Sequence, residues 1–325
     1  AGTESLINSR KEITEAKISA FGEISSKLST FQSAIEDLAD DDVISSTLSS
    51  SSDETILTAT TSSSAVPGTY SVEVQAMAQA HSLASASFAD STTEVTATGG
   101  VLEFKFGTTT YTGGGAYDTF IENADKAGAT VTIGANSSLS DVRDAINTAD
   151  FGVTAAIVYD GSGYILSLLS DDSGLDNSLE ITARDSSGGA LSSDGLEGLA
   201  YNASQATASN LTESQTAQDA VLTFNGLSVT RESNAITDLI TGTTLNLQSA
   251  NVGQTVTVTV GADLTVFADK IDEMVAAYND LKESVDFYTD YDATKDEAGV
   301  LTGDITIRTL MVGVNNLLAS SVSGI

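Results

Sequence analysis

Few side chains in this sequence could do chemistry. His81 is the only histidine among 325 residues, and there is no cysteine. An imidazole works as a general base only when a nucleophile and an orienting acid converge on it. Ser82 adjoins His81, yet no G-x-S-x-G elbow occurs, so His81 reads as a strand-end histidine, exposed or hydrogen-bonded, without a catalytic role. One histidine without cysteine argues against a zinc site. Carboxylates cluster at Asp171-Asp172, Asp290-Tyr291-Asp292 and Asp296-Glu297, the oxygen donors that calcium needs. None reproduces the EF-hand loop, whose sixth-position glycine is missing, and they read as solvated loops. Gly113-Gly114-Gly115 has no following Lys-Ser/Thr and is not a phosphate loop. Among 45 acidic residues many carboxylate pairs are possible, but there is no Trp for a sugar platform. The expectation is a non-enzyme with no catalytic, cofactor-binding or metal-binding residue and no cofactor.

The charge narrows the partners. Forty-five acidic residues face 13 basic ones, a formal net charge of −32. A chain this acidic repels phosphate backbones and anionic lipid, which argues against nucleic acid and membrane surfaces as partners. Hydrophobic residues make up 41% and aromatic ones 6%, so the cores must rest on Val, Ile, Leu and Ala. A cysteine-free chain with few lysines and much Ser, Thr, Asp and Gly fits a bacterial surface or secreted protein. No apolar run approaches the length of a membrane span. The start, Ala1-Gly2-Thr3-Glu4, has no basic flank or hydrophobic region, and Ser323-Gly324-Ile325 falls inside an apparent helix. The expectation is a fragment of a longer protein.

Two helical segments carry matching seams. From Ala20, apolar residues recur at Phe21, Ile24, Leu28, Phe31, Ile35 and Leu38, with Ile7, Ile13 and Ile18 upstream in looser register. Asp40-Asp41-Asp42 closes this segment. Near the other end, Phe267, Ile271, Met274, Tyr278, Leu281, Val285 and Tyr288 step by four and three. Such stripes are the heptad pattern of a bundle or coiled-coil helix. Neither could keep a wet apolar face, so the two are expected to pack together.

The middle reads as strand. Ile56–Ala59 and Tyr70–Val74 flank a turn at Val66-Pro67-Gly68, and Val101–Phe106 and Thr130–Ile133 follow. Ser140 is the expected N-cap of a short helix through Val142 and Ile146. Hairpins are expected around Asp160-Gly161-Ser162-Gly163 and across Asn225-Gly226. Residues 186–218 read as a linker or long surface loop. The strands of 53–90 and 217–262 are expected to share one sheet. These elements predict an α+β multidomain fold: a helical bundle or coiled-coil domain formed by both chain ends, with two nested mainly-β domains. The expected divisions are 1–52 with 263–325 for the helical domain, 53–95 with 213–262 for a discontinuous β domain, and 96–212 for a second, inserted α+β domain.

Several stretches resemble the bacterial flagellar filament cap family, the hook-associated cap. They are Ile7-Asn8-Ser9-Arg10-Lys11 through Phe31-Gln32-Ser33-Ala34, Pro67–Val74 with Ala78-Gln79-Ala80-His81, and Leu139–Asn147 with Gly152-Val153-Thr154-Ala155. Asn225-Gly226, Val229-Thr230-Arg231, Asn234–Ile240 and Gly242–Leu247 follow, then Tyr278-Asn279-Asp280-Leu281 and Leu301-Thr302-Gly303-Asp304. They occur in family order and cover nearly the whole chain, without the family's terminal segments. The resemblance implies a structural capping protein at the filament's distal tip that promotes flagellin folding and polymerisation by non-covalent templating. It implies a homo-oligomer ring of about five or six subunits, with the helical domain as legs and the β domains as a head plate. Implied partners are flagellin, hook–filament junction proteins and a flagellar export chaperone, with export through the flagellar secretion channel to an extracellular tip. Lys11, Glu15, Glu23 and Lys27 are the candidate outward positions toward flagellin. The alternative is an adhesin or surface module whose β domains bind host glycans or proteins.

Overall fold

The computed structural model describes residues 2–112, 117–189, 191, 195–203, 211–292 and 297–320. The chain divides into two compact units, residues 1–47 with 262–325, and residues 48–261. The fold is α+β, with the long helices at the two ends of the chain and the main sheets between them. Labels below run in chain order. Among the described residues no helix is long and apolar enough to cross a membrane.

The first unit holds α1 (Gly2–Leu38), α2 (Asp41–Ile44), α4 (Leu264–Thr289) and α5 (Ile305–Ala319), with the short pair β19 (Tyr291–Asp292) and β20 (Glu297–Ala298). Aspartates start three of these helices: Asp40, Asp263 and Asp304 each accept backbone N–H bonds at an N-terminus. The Asp40-Asp41-Asp42 run thus ends α1 and opens α2. Ala20, Ile24 and Phe31 of α1 bury against Leu281 and Val285 of α4 and Ile307 and Val314 of α5. Phe31 and Tyr278 meet with ring centroids 5.8 Å apart.

The seam keeps Ile24, Leu28, Phe31 and Leu38 of the expected stripe and departs from it at Phe21 and Ile35. Ala20, Lys27 and Ala34 are buried or half-buried beside them, whereas Phe21 and Ile35 are 37% and 40% exposed. The observed seam places small Ala20 and Ala34 on the buried face and lays the Lys27 stem along it, its ammonium 2.8 Å from Asp280. On α4 the expected positions from Ile271 to Tyr288 turn inward, and only Phe267 stays exposed.

The second unit contains two apolar cores. The first lies between a five-stranded sheet and a three-stranded one. The order in the larger is β1 (Thr47–Ser51), β18 (Val256–Ala262), β3 (Gly68–Ala76), β14 (Ala220–Phe224), β15 (Leu227–Arg231). The smaller runs β16 (Ala235–Ile240), β17 (Thr243–Leu247), β2 (Leu57–Thr61). The expectation of a single shared sheet is therefore corrected. One sheet would leave a wet apolar face, while two let Leu57 and Leu245 pack with Val72, Leu222 and Val256. Asn225 and Gly226 both have positive φ, 49° and 83°, which closes the β14–β15 hairpin as expected.

The second core is built by β10 (Val153–Tyr159), β11 (Tyr164–Ser173), β4 (Ala80–Ala84) and β13 (Thr212–Gln215), in that order, and by β12 (Ser178–Arg184), β6 (Gly100–Tyr111) and β7 (Tyr117–Glu122), with β8 (Ala129–Ile133) also on β6. The small pair β5 (Glu94–Thr96) and β9 (Ser137–Ser138) leads into α3 (Leu139–Ala149). β10 and β11 form the hairpin expected around Asp160–Gly163. Leu83 and Val95 join this core, so residues 80–95 pack with the strands that follow them. The cap of α3 is Ser138, not Ser140. Ser138 and Asp141 form a reciprocal capping box, while the Ser140 hydroxyl donates to the Ser91 carbonyl. The described parts of 186–218 are no linker. Leu196, Leu199, Tyr201 and Leu211 belong to the core, apolar anchors too sparse for the sequence pattern to reveal.

Replacing Phe31 by Ala should cost about 3–5 kcal/mol in urea unfolding followed by helical circular dichroism. Phe21→Ala should cost about 1 kcal/mol or less, since its ring is largely in water already. Equal losses would refute the assigned register.

Candidate functional site

The chemistry-bearing residues do not converge. His81, on β4, is 2% exposed rather than standing at an exposed strand end. The backbone N–H of Leu179, on β12, donates to its Nδ1 at 2.9 Å. Nδ1 is therefore the unprotonated nitrogen, and Nε2 carries the hydrogen toward Glu213 Oε1 of β13, 3.1 Å away. The Tyr201 ring meets the imidazole edge-on, centroids 5.4 Å apart. Burial pushes the imidazole below its ordinary pKa, against an upward pull from the Glu213 carboxylate. Ser82 points elsewhere: its hydroxyl accepts from Ser214 at 2.9 Å. Both ring nitrogens are committed to the protein, so this histidine is a brace between strands.

The Asp171-Asp172 cluster is likewise spent on structure. Asp171 accepts from Thr154, and Asp172 pairs with Lys126 at 2.7 Å. Asp290 ends α4, its N–H donating to the Asp286 carbonyl. Asp296 and Gly113-Gly114-Gly115 lie outside the described residues. Among the described residues, no three His, Asp or Glu side chains gather to hold a metal.

What the first unit does present is apolar surface. Along α1 from Thr3 to Ser19 every residue is exposed except half-buried Ala16. Leu6, Ile7, Ile13 and Ile18 stand in water at 55–66% exposure. On α5, Ile305, Val312 and Leu317 are exposed too. Between α4 and α5 lies a groove of about 500 Å³ floored by Val285, Ile307 and Met311, with Lys282 and Arg308 among its lining residues. Helices gain most of their stability from covered apolar faces, and the exposed side chains of α1 and α5 are left uncovered among the described residues. Of the four outward candidates, Lys11 and Glu15 face solvent and pair with each other at 3.7 Å. Glu23 is exposed and Lys27 half-buried, and both flank the α1–α4 seam, Glu23 accepting from the Tyr288 hydroxyl and Lys27 pairing with Asp280. The α5 residues escaped the sequence reading, although eight apolar side chains from Ile305 to Leu318 exceed what one buried stripe needs.

This arrangement, a helical unit from both chain ends and a two-core β unit, is that of a flagellar cap protein. The crystal structure of the flagellar cap protein FliD D1-D2-D3 domains from Escherichia coli matches with a TM-score of 0.70 and 33% identity, covering 94% of this chain and 78% of that one. The D2-D3 domains from the same organism match at a TM-score of 0.56 and 33% identity, over 67% of this chain and 99% of that one. Family models described as Flagellar hook-associated protein 2 N-terminus and C-terminus match residues 2–81 and 217–324, and a Flagellin hook IN motif matches 110–171. Flagellar hook-associated protein 2 of Escherichia coli K12 is 36% identical over 98% of this chain, which spans 64% of that protein's length. The chain belongs to the flagellar hook-associated protein 2 family, the flagellar cap proteins.

The pair Ile13→Glu and Ile18→Glu should leave the urea midpoint nearly unchanged, a shift of about 1 kcal/mol or less, because neither side chain is buried. Binding of an apolar-surface dye should fall. A large loss of stability would mean these residues are covered.

Proposed function

We propose that this chain forms part of a structural cap at the distal tip of the flagellar filament, promoting flagellin folding and polymerisation by non-covalent templating. The observation that carries this reading is the likeness to a solved flagellar cap protein over 94% of the chain. In this reading the helical unit is the leg that engages flagellin, through the bare apolar faces of α1 and α5. The β unit supplies two head domains, the one built on the second core inserted in the one built on the first, and the helical domain is formed by the two ends of the chain. Copies associate as a ring of about five or six. Hook–filament junction proteins and an export chaperone complete the partners, and the chain reaches the extracellular tip through the flagellar secretion channel. No step requires bond making, in keeping with an imidazole whose two nitrogens are occupied. The adhesin alternative finds no support in the comparisons.

Deleting the full gene should abolish filaments and release monomeric flagellin into the medium, read by electron microscopy and immunoblot. Restoring it with the Ile13→Glu, Ile18→Glu pair should leave export intact and filaments shorter or absent. Normal filaments in the deletion strain would overturn the reading.

A further inference from the structure

The second core is closed from two sides by strands that share no ladder. β4 and β13 pair with each other in one sheet, and β12 pairs with β6 in another. His81 bridges them, taking the Leu179 N–H on Nδ1 and facing Glu213 through Nε2. Tyr201, edge-on to the same imidazole, is tied to β12 by two backbone hydrogen bonds with Ile181, at 2.8 and 2.9 Å.

We propose that His81 is an acid-sensitive latch: protonation at Nδ1 sets two hydrogen-bond donors against each other and releases β4 and β13 from β12. A proton on Nδ1 would point at an N–H that has no other place to turn, in a site almost closed to water. The ring must then leave its pocket, and the bond to Leu179 goes with it.

Charged groups on the packing elements leave this geometry as the determinant. β4 itself carries none besides His81. Glu213 of β13 is the carboxylate acting on the ring, and it favours the protonated form. On β11, Asp171 is bonded to Thr154 and Asp172 to Lys126. On β12, Glu180 interacts with Lys105, Glu103 and Glu122, and Arg184 pairs with Glu103. Burial outweighs Glu213, so the folded chain holds the neutral ring while the unfolded chain takes a proton at the ordinary value near 6.5. The latch therefore contributes fully above that value and weakens as the pH falls through and below it.

The test is amide hydrogen exchange on the whole chain at about pH 7.5 and about pH 5.5, corrected for intrinsic rates, with titration of the single histidine ring by NMR. Opening that exposes an ordinary imidazole becomes about ten-fold more favourable across that interval. The Leu179 and Ile181 amides should therefore exchange about ten-fold faster at the lower pH, with Ile24, Phe31 and Leu281 changed by no more than about two-fold. In His81→Asn the carboxamide oxygen still accepts from Leu179 but takes no proton, and the pH response of these amides should vanish. Glu213→Gln should lower the ring's midpoint further. A ten-fold response that persists in His81→Asn, no response in the parent chain, or a ring titrating near 6.5 with Leu179 undisturbed would each overturn the latch. Where the Asn variant does not fold, the parent chain's ring midpoint and Leu179 exchange decide alone.

Discussion

The packing of α1 on α4 is the contact on which the organisation of the first unit depends. These helices are separated by more than 200 residues of sequence, so their association closes a very long loop. Loop closure grows costlier only slowly with length, and here most of the intervening chain is ordered by its own cores. What must offset the closure is local: Ile24 and Phe31 against Leu281 and Val285, completed by Ile307 and Val314 of α5. The polar links at the flanks, Lys27 to Asp280 and Tyr288 to Glu23, are solvent-exposed and contribute direction more than energy.

Sequence periodicity shows that these two helices exist and that each has an apolar stripe. It does not show which residues flanking Ile24, Leu28, Phe31 and Leu38 complete the inward face, because that choice depends on how closely the backbones approach. Ala20 and Ala34 carry little hydrophobic signal, yet their small side chains share the buried face and leave room for larger neighbours. The same blindness applies to α5, whose apolar residues surround the helix. Turn chemistry, in contrast, was readable residue by residue. Asn225-Gly226 and Asp160–Gly163 close hairpins because left-handed backbone and Asx-type bonding are written into those residue types. Strand partners were not readable. Nothing in Ala80-His81-Ser82-Leu83-Ala84 announces that it joins β11 and β13 rather than the strand before it, since pairing is decided by distant residues.

His81 illustrates how a residue type can be read correctly as non-catalytic and still be misplaced. A lone histidine next to serines suggests a wet strand end. In the folded chain it is sealed under Tyr201, where an apolar residue of similar size would leave the Leu179 N–H and the Glu213 carboxylate without their partner. The imidazole is suited here because one ring both accepts from a backbone amide and donates to a carboxylate.

Charge sets the terms on which copies of this chain can meet. Most of the 13 basic residues are already paired within the molecule, Lys105 with Glu122, Arg143 with Asp144, Arg231 with Asp238 and Lys282 with Asp286 among them. The 45 acidic residues far outnumber them, so the unpaired surface charge is almost all carboxylate. Two such surfaces repel one another over a Debye length of about 8–10 Å at physiological salt. Association between copies cannot therefore rest on general charge complementarity and must draw on apolar surface. Repulsion that holds copies apart in dilute solution is overcome only where apolar faces meet in register, and it penalises every misaligned encounter that buries less of them. High negative charge and bare helix faces thus act in opposite senses: the first opposes the close approach of any two copies, and the second is apolar surface that a contact would cover.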